Sequence, residues 1–156
     1  MGISTRTEYA TRALLDLALA REGTVVKTAD VAARQRIPKK YLEQILLVFK
    51  REGMVRSKPG LNGGYMLARP AQQITMAEVV RAADGPLAPV RCVSLTAYAP
   101  CTCPHEEVCP LRGVWQEARR AMAEVLERTS LADVADRARA IGYPGAMGLL
   151  SRDGDA

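Results

Sequence analysis

Pro38-Lys39-Lys40-Tyr41-Leu42-Glu43-Gln44-Ile45-Leu46 is the stretch that decides the fold. Proline suits the first position of a helix, where its missing N–H costs nothing and its φ is already near the helical value. Lys39 and Lys40 follow at once, where the helix dipole disfavours cations by roughly 0.3 to 1 kcal/mol each. An anion explains the pair, because a phosphate at that turn is held by free backbone N–H groups and by both ammonium groups. Leu42, Ile45, Leu46 and Phe49 form one apolar stripe, leaving Lys39, Lys40, Glu43, Gln44 and Lys50 for other faces before Gly53 stops the helix. The spacing predicts a recognition helix directed at DNA.

Upstream, Ala10, Ala13, Leu14, Leu17 and Ala18 recur at helical spacing behind Thr5-Arg6-Thr7-Glu8, which has the form of a capping box. That helix is expected to end near Gly23. After the short extended piece Val25-Val26-Lys27, Thr28 is expected to cap a second helix carrying Val31 and Ala32 and ending at Ile37-Pro38. Two such helices joined by a short turn make a helix-turn-helix. Downstream, Met54-Val55-Arg56-Ser57-Lys58 and Gly64-Tyr65-Met66-Leu67-Ala68-Arg69 flank the turn-forming Pro59-Gly60-Leu61-Asn62-Gly63, which predicts a β-hairpin placed as a wing.

Thr75-Met76-Ala77-Glu78 is a second capping box, opening a short helix closed by Gly85. From Pro86 to Pro110 prolines and cysteines interrupt every apolar period, and irregular chain is expected. Val114, Trp115, Ala118, Met122, Val125 and Leu126 are then spaced like the seam of a coiled coil, a stripe that an appendage cannot bury on its own. Ser130-Leu131-Ala132-Asp133 caps a last helix, and a loose tail is expected from Gly142. The fold class is mainly α with a small β-hairpin. Its expected units are a winged helix-turn-helix over 1–85, a cysteine-bearing loop over 86–110, a long dimerisation helix and C-terminal helix over 111–141, and a flexible tail over 142–156.

Charge is divided unevenly along the 156 residues. Residues 1–70 carry 13 Lys+Arg against 6 Asp+Glu, whereas 71–156 carry 9 against 11, so the first part is the nucleic-acid face. Aromatic residues are only 4% of the chain, which argues against single-strand binding by base stacking. No apolar run is long enough to span a bilayer, and the basic-then-apolar order of a signal peptide is missing, so a cytoplasmic protein with no membrane partner is expected. All four cysteines, Cys92, Cys101, Cys103 and Cys109, fall in one stretch. In a reducing compartment such clustering favours metal or redox chemistry over structural disulfides. Soft thiolates select zinc, copper(I) or iron–sulfur clusters, and the spacing here is neither a zinc ribbon nor a ferredoxin run. No phosphate-binding glycine loop, Ser/His/Asp set or catalytic carboxylate pair is present, and a non-enzyme is expected.

The chain resembles the IscR/NsrR-type winged-helix transcriptional regulators of bacteria over roughly residues 1–140. The carriers are Tyr41-Leu42-Glu43-Gln44-Ile45-Leu46, Gly63-Gly64-Tyr65-Met66-Leu67-Ala68-Arg69, Ile74-Thr75 with Glu78-Val79 and Asp84-Gly85, and Cys103 and Cys109 ahead of Leu111-Arg112-Gly113-Val114-Trp115. The resemblance implies a homodimer, paired through the long helix, that binds an inverted-repeat operator in double-stranded DNA as a repressor. It also implies an iron–sulfur cluster, 2Fe-2S favoured over 4Fe-4S, that senses redox state, nitric oxide or cluster supply and tunes DNA binding. The ligands it carries over are Cys92, Cys103 and Cys109, with Glu8 of the partner subunit at the position of an oxygen ligand. The gap from Cys92 to Cys103 is longer than the family pattern, and Cys101 is additional. Cys101 therefore stands open as a substitute for Cys103, a fourth thiolate, or a spare thiol able to form a disulfide. His105 stands open as a ligand or an idle loop residue, and Glu8 as a ligand or as the partner of Thr5 in its capping box.

For DNA contact the candidates are Lys39, Lys40, Tyr41 and Gln44 on the recognition helix and Arg56, Lys58 and Asn62 on the wing. A glutamine amide reads adenine, lysines take guanine or phosphate, and a tyrosine hydroxyl bonds phosphate. Cations on a wing suit a narrow minor groove. The candidate dimer interface is Trp115, Ala118, Met122, Val125 and Leu126. Two alternatives remain at this stage: the same fold with zinc or a thiol/disulfide switch in the loop, and a thiol oxidoreductase using Cys101-Thr102-Cys103.

Overall fold

The fold is seen in a computed structural model that describes residues 2–145. Helix α1 (Thr5–Leu19) lies at the centre and packs against α2 (Thr28–Gln35), α3 (Lys39–Arg51), α4 (Met76–Asp84) and α6 (Leu131–Ala140). Its apolar face, Ala10, Ala13, Leu14 and Leu17, meets Leu42, Ile45, Leu46 and Phe49 of α3 in a single core that also takes in Ile74, Val79 and Leu131. The predicted α3 stripe is thus the buried one, and its solvent face carries polar residues and the exposed Leu47.

Strands β1 (Val55–Lys58) and β2 (Gly64–Leu67) pair antiparallel, with Val55 opposite Leu67 and Lys58 opposite Gly64. Val26 adds a bridge to Tyr65 on the other edge, so the short extended piece before α2 joins the wing. Gly64 permits that closeness, since a Cβ there would fall 2.1 Å from the Val26 carbonyl oxygen. Lys50 Nζ donates to Ser57 Oγ at 2.7 Å and ties α3 to the hairpin.

Three local expectations are corrected. Ser4, not Thr5, caps α1: its hydroxyl accepts from Thr7 N at 3.1 Å, and Glu8 N already bonds the Ser4 carbonyl at 2.9 Å. Glu8 is therefore outside any capping box, exposed, and 3.8 Å from Arg12. Helix α1 also stops at Leu19, with Gly23 in the following turn at φ 80°. Thr28 does not cap α2; Lys27 occupies that position, and its side chain makes no cap hydrogen bond. The boxes at Thr75 and Ser130 are both formed, with Glu78 and Asp133 as reciprocal partners.

Residues 86–109 are irregular apart from 3₁₀ turns at Arg91–Val93 and Glu106–Val108. Helix α5 (Pro110–Arg128) buries none of its residues. Helix α6 returns to α1 and contributes Leu131, Ala135 and Ala138 to the core, so residues of the expected 111–141 unit complete the core of the 1–85 unit. Of the expected tail, Tyr143 packs back and donates its hydroxyl to Gln35 Oε1 at 3.1 Å, while residues 146–156 lie outside the described residues. Gln35 in turn belongs to a buried group around Asp16, whose carboxylate accepts from Arg34 Nη2 at 2.6 Å and from Gln35 Nε2 at 3.3 Å. This pair fixes α2 against α1, and with it the angle between the two helices of the helix-turn-helix.

Candidate nucleic-acid interface and cysteine loop

Helices α2 and α3 both begin without a side-chain cap, at Lys27 and Pro38 respectively. Their free N–H groups open on a cleft of about 370 Å³ bounded by the wing and lined by Lys27, Thr28, Lys39, Glu43, Ser57, Lys58 and Tyr65. Two helix starts and three lysines around one cleft give a fixed positive potential and unfilled backbone donors, which is what a phosphate backbone requires. Lys39, Lys40 and Gln44 are exposed on α3, as are Lys58 and Asn62 on the wing. Lys39 Nζ is 4.0 Å from Glu43 Oε1, an exposed i,i+4 pair that solvent weakens. Tyr41 is half-buried, its ring edge-on to Tyr9 at 5.8 Å between centroids.

Arg56 is placed elsewhere. It lies in a second cleft, of about 530 Å³, between the wing and the end of α1, with Arg21, Gly23, Thr24 and Met66. Arg56 and Lys58, two residues apart on β1 and both exposed, project from the same face of the hairpin and border different clefts. Lys27 was missed in the sequence, although its place beside Thr28 at a helix start was a usable signal.

In the loop, Cys92, Cys101 and Cys109 are half-buried and Cys103 is exposed, and all four are free thiols. Cys103 N donates to Cys101 Sγ at 3.2 Å, and the neighbouring thiols, Cys101 first and Cys109 after it, push the Cys103 thiol up from 9.0 to about 11. Cys92 lies near Tyr98. The structure thus places Cys103 against Cys101. Among the described residues no three Cys, His, Asp or Glu side chains are grouped to hold a metal ion. The donor chemistry nonetheless fits a soft metal or cluster: four thiols lie within 18 residues of sequence on one loop.

The loop is tied to α5 by Glu106. Its carboxylate accepts from Tyr98 Oη at 2.6 Å and from Cys101 N at 3.1 Å, and lies 3.8 Å from Arg112. The Tyr98 bond leads the interactions that hold the Glu106 carboxyl below its ordinary pKa. On α5, Leu111, Val114, Trp115 and Val125 are exposed, and Ala118, Met122 and Leu126 are half-buried. The expected seam residues share an uncovered surface.

The sequence pattern of the Rrf2 family, described as an iron-dependent transcriptional regulator, matches residues 3–137. The chain belongs to the Rrf2 family. A Mycobacterium tuberculosis (strain H37Rv) relative, Rv1287, named as an HTH-type transcriptional regulator, is 47% identical over 135 residues, spanning 86% of this chain and 81% of the relative. Protein rrf2 of Nitratidesulfovibrio vulgaris is 40% identical over 134 residues, 86% of this chain and 87% of that one. Among solved structures, CymR, the global cysteine regulator of B. subtilis, superposes with a TM-score of 0.72 at 27% identity, covering 88% of this chain and 98% of that one. T. potens IscR superposes at 0.69 with 28% identity, covering 88% of both chains. This Rrf2 protein is a winged-helix, DNA-binding transcriptional regulator and not an enzyme, which removes the oxidoreductase alternative. Among the described residues no helix is long and apolar enough to cross a membrane.

Proposed function

We propose that the protein is a homodimeric repressor that grips an inverted-repeat operator with the start of α3 and the wing, and whose grip is set by an iron–sulfur cluster on the cysteine loop. The observation that carries the DNA part is the cleft where two uncapped helix starts face Lys27, Lys39 and Lys58. Lys39, Lys40 and Lys58 hold phosphates, Gln44 reads a base edge, Tyr41 offers its hydroxyl from a half-buried ring, and Asn62 meets the minor groove. Arg56, on the same face of β1 as Lys58, adds a further cation to the wing. Dimerisation through Trp115, Ala118, Met122, Val125 and Leu126 covers the α5 stripe and sets two α3 helices about one turn of DNA apart.

Cys92, Cys103 and Cys109 are the proposed cluster ligands, with Cys101 as a fourth thiolate and Glu8 of the partner subunit as an oxygen donor. Glu8 is exposed and carries no capping role, which leaves its carboxylate available. When bound, the cluster supplies a charge that oxidants, nitric oxide or cluster scarcity can change. The chain's own part is the Tyr98–Glu106–Arg112 set, which joins the loop's shape to the first turn of α5.

A second reading is supported by the contact of Cys103 with Cys101 and the nearness of Cys109: a zinc site or a thiol/disulfide switch on the same loop. The visible spectrum and the iron, sulfide and zinc content of anaerobically purified protein decide between them. The cluster reading expects a brown protein that bleaches when Cys92, Cys103 or Cys109 is changed to Ala. Colourless protein with stoichiometric zinc, or colour that survives all three changes, contradicts it.

A further inference from the structure

The outward face of α3 is a stripe of four residues, Lys40, Gln44, Leu47 and Arg51, spaced to lie one above another along the helix. Three are polar or charged. Leu47 is 51% exposed, on a helix whose other leucines, Leu42 and Leu46, are fully buried. Neither Lys40 nor Arg51 is paired with a carboxylate among the described residues. Single exposed leucines are common on proteins and need no role. This one differs in its place: it stands between two cations about 16 Å apart along the axis, and about 4.5 Å beyond Gln44.

A major groove is about 12 Å wide, so cations at that separation reach phosphates on its two walls while the residues between them face base edges. Gln44 carries donors and an acceptor for such an edge. Leu47 can make only apolar contact, and the thymine C5 methyl is the one apolar group that the groove presents.

We propose that Leu47 is a specificity-determining residue that packs on a thymine methyl next to the base read by Gln44, with Lys40 and Arg51 clamping the flanking phosphates. This rests on the DNA interface proposed above and adds to it a base preference at one step. Covering the leucine and the methyl removes apolar surface from water on both sides. One buried methyl-sized group changes affinity about fourfold.

The test uses the full-length dimer and the duplex it selects from a random-sequence pool. Each thymine is replaced in turn, symmetrically in both half-sites, by deoxyuridine, which lacks only the C5 methyl. The wild-type protein is expected to lose about fourfold in affinity per methyl at one thymine position and little at the others. Leu47→Ala is expected to bind the parent duplex more weakly by a similar factor and to ignore the same replacement. A wild-type protein insensitive to every replacement, or a Leu47→Ala variant as sensitive as the parent, overturns the proposal while leaving the DNA interface standing. A protein that selects no duplex at all overturns the interface itself.

Discussion

At the scale of single residues the most perturbed group is Cys103. Its proton is held by Cys101 and by the neighbouring Cys109, so the folded chain binds that proton more tightly than the unfolded chain does. A raised thiol pKa gives stability that is present below the unfolded value and lost as pH rises from about 9 to about 11. Because the thiolate is the nucleophile, exposure alone does not make Cys103 reactive. Iodoacetamide at pH 8 is expected to label Cys103 of the native, metal-free protein at least about tenfold more slowly than the same residue in urea, by mass spectrometry of the digested protein. Equal rates would show that Cys101 and Cys109 do not hold the Cys103 proton. None of this was legible in the sequence, where the four cysteines differ only in spacing.

Elements were read best where a local pattern is closed by its own side chains. The apolar stripe of α3 repeats at its own helical spacing, and the boxes at Thr75 and Ser130 are closed by Glu78 and Asp133 of the same first turn. The start of α1 shows the opposite case. Ser4 and Thr5 are both good cap residues, and Glu8 favours the Thr5 frame, but Ser4 donates its N–H and its hydroxyl to Asp84 at the far end of α4. That tertiary contact selects Ser4, and no local reading contains it. The wing has a similar dependence on a distant strand. Changing Gly64 to Ala would drive a Cβ into the Val26 carbonyl, and the crowding is expected to cost about 1–3 kcal/mol in urea unfolding and to loosen the bridge to Tyr65. Unchanged stability would mean that the bridge is not held as described. On α5, the proposed second copy would cover the exposed Val114, Trp115 and Val125. Met122→Arg with Val125→Arg is expected to give monomers in sedimentation velocity while thermal unfolding is still cooperative. A persistent dimer would place the interface elsewhere.

For the whole molecule, charge and shape converge on one surface. The positive excess of residues 1–70 is spread along the sequence, and only folding gathers Lys27, Lys39 and Lys58 around the uncapped starts of α2 and α3. Five phosphate-facing cations per protomer, Lys40 and Arg51 included, would release about ten counterions per dimer, a slope of about −9 in log affinity against log salt concentration. The most direct test of the account compares the wild-type dimer with a Lys39→Glu, Lys40→Glu variant on the selected duplex across a salt series. The account predicts that the variant folds as the parent does, binds at least about a hundredfold more weakly at low salt, and shows a slope reduced by roughly four. A variant that binds with the parent's affinity and slope would contradict it, and would show that α3 does not begin against a phosphate backbone.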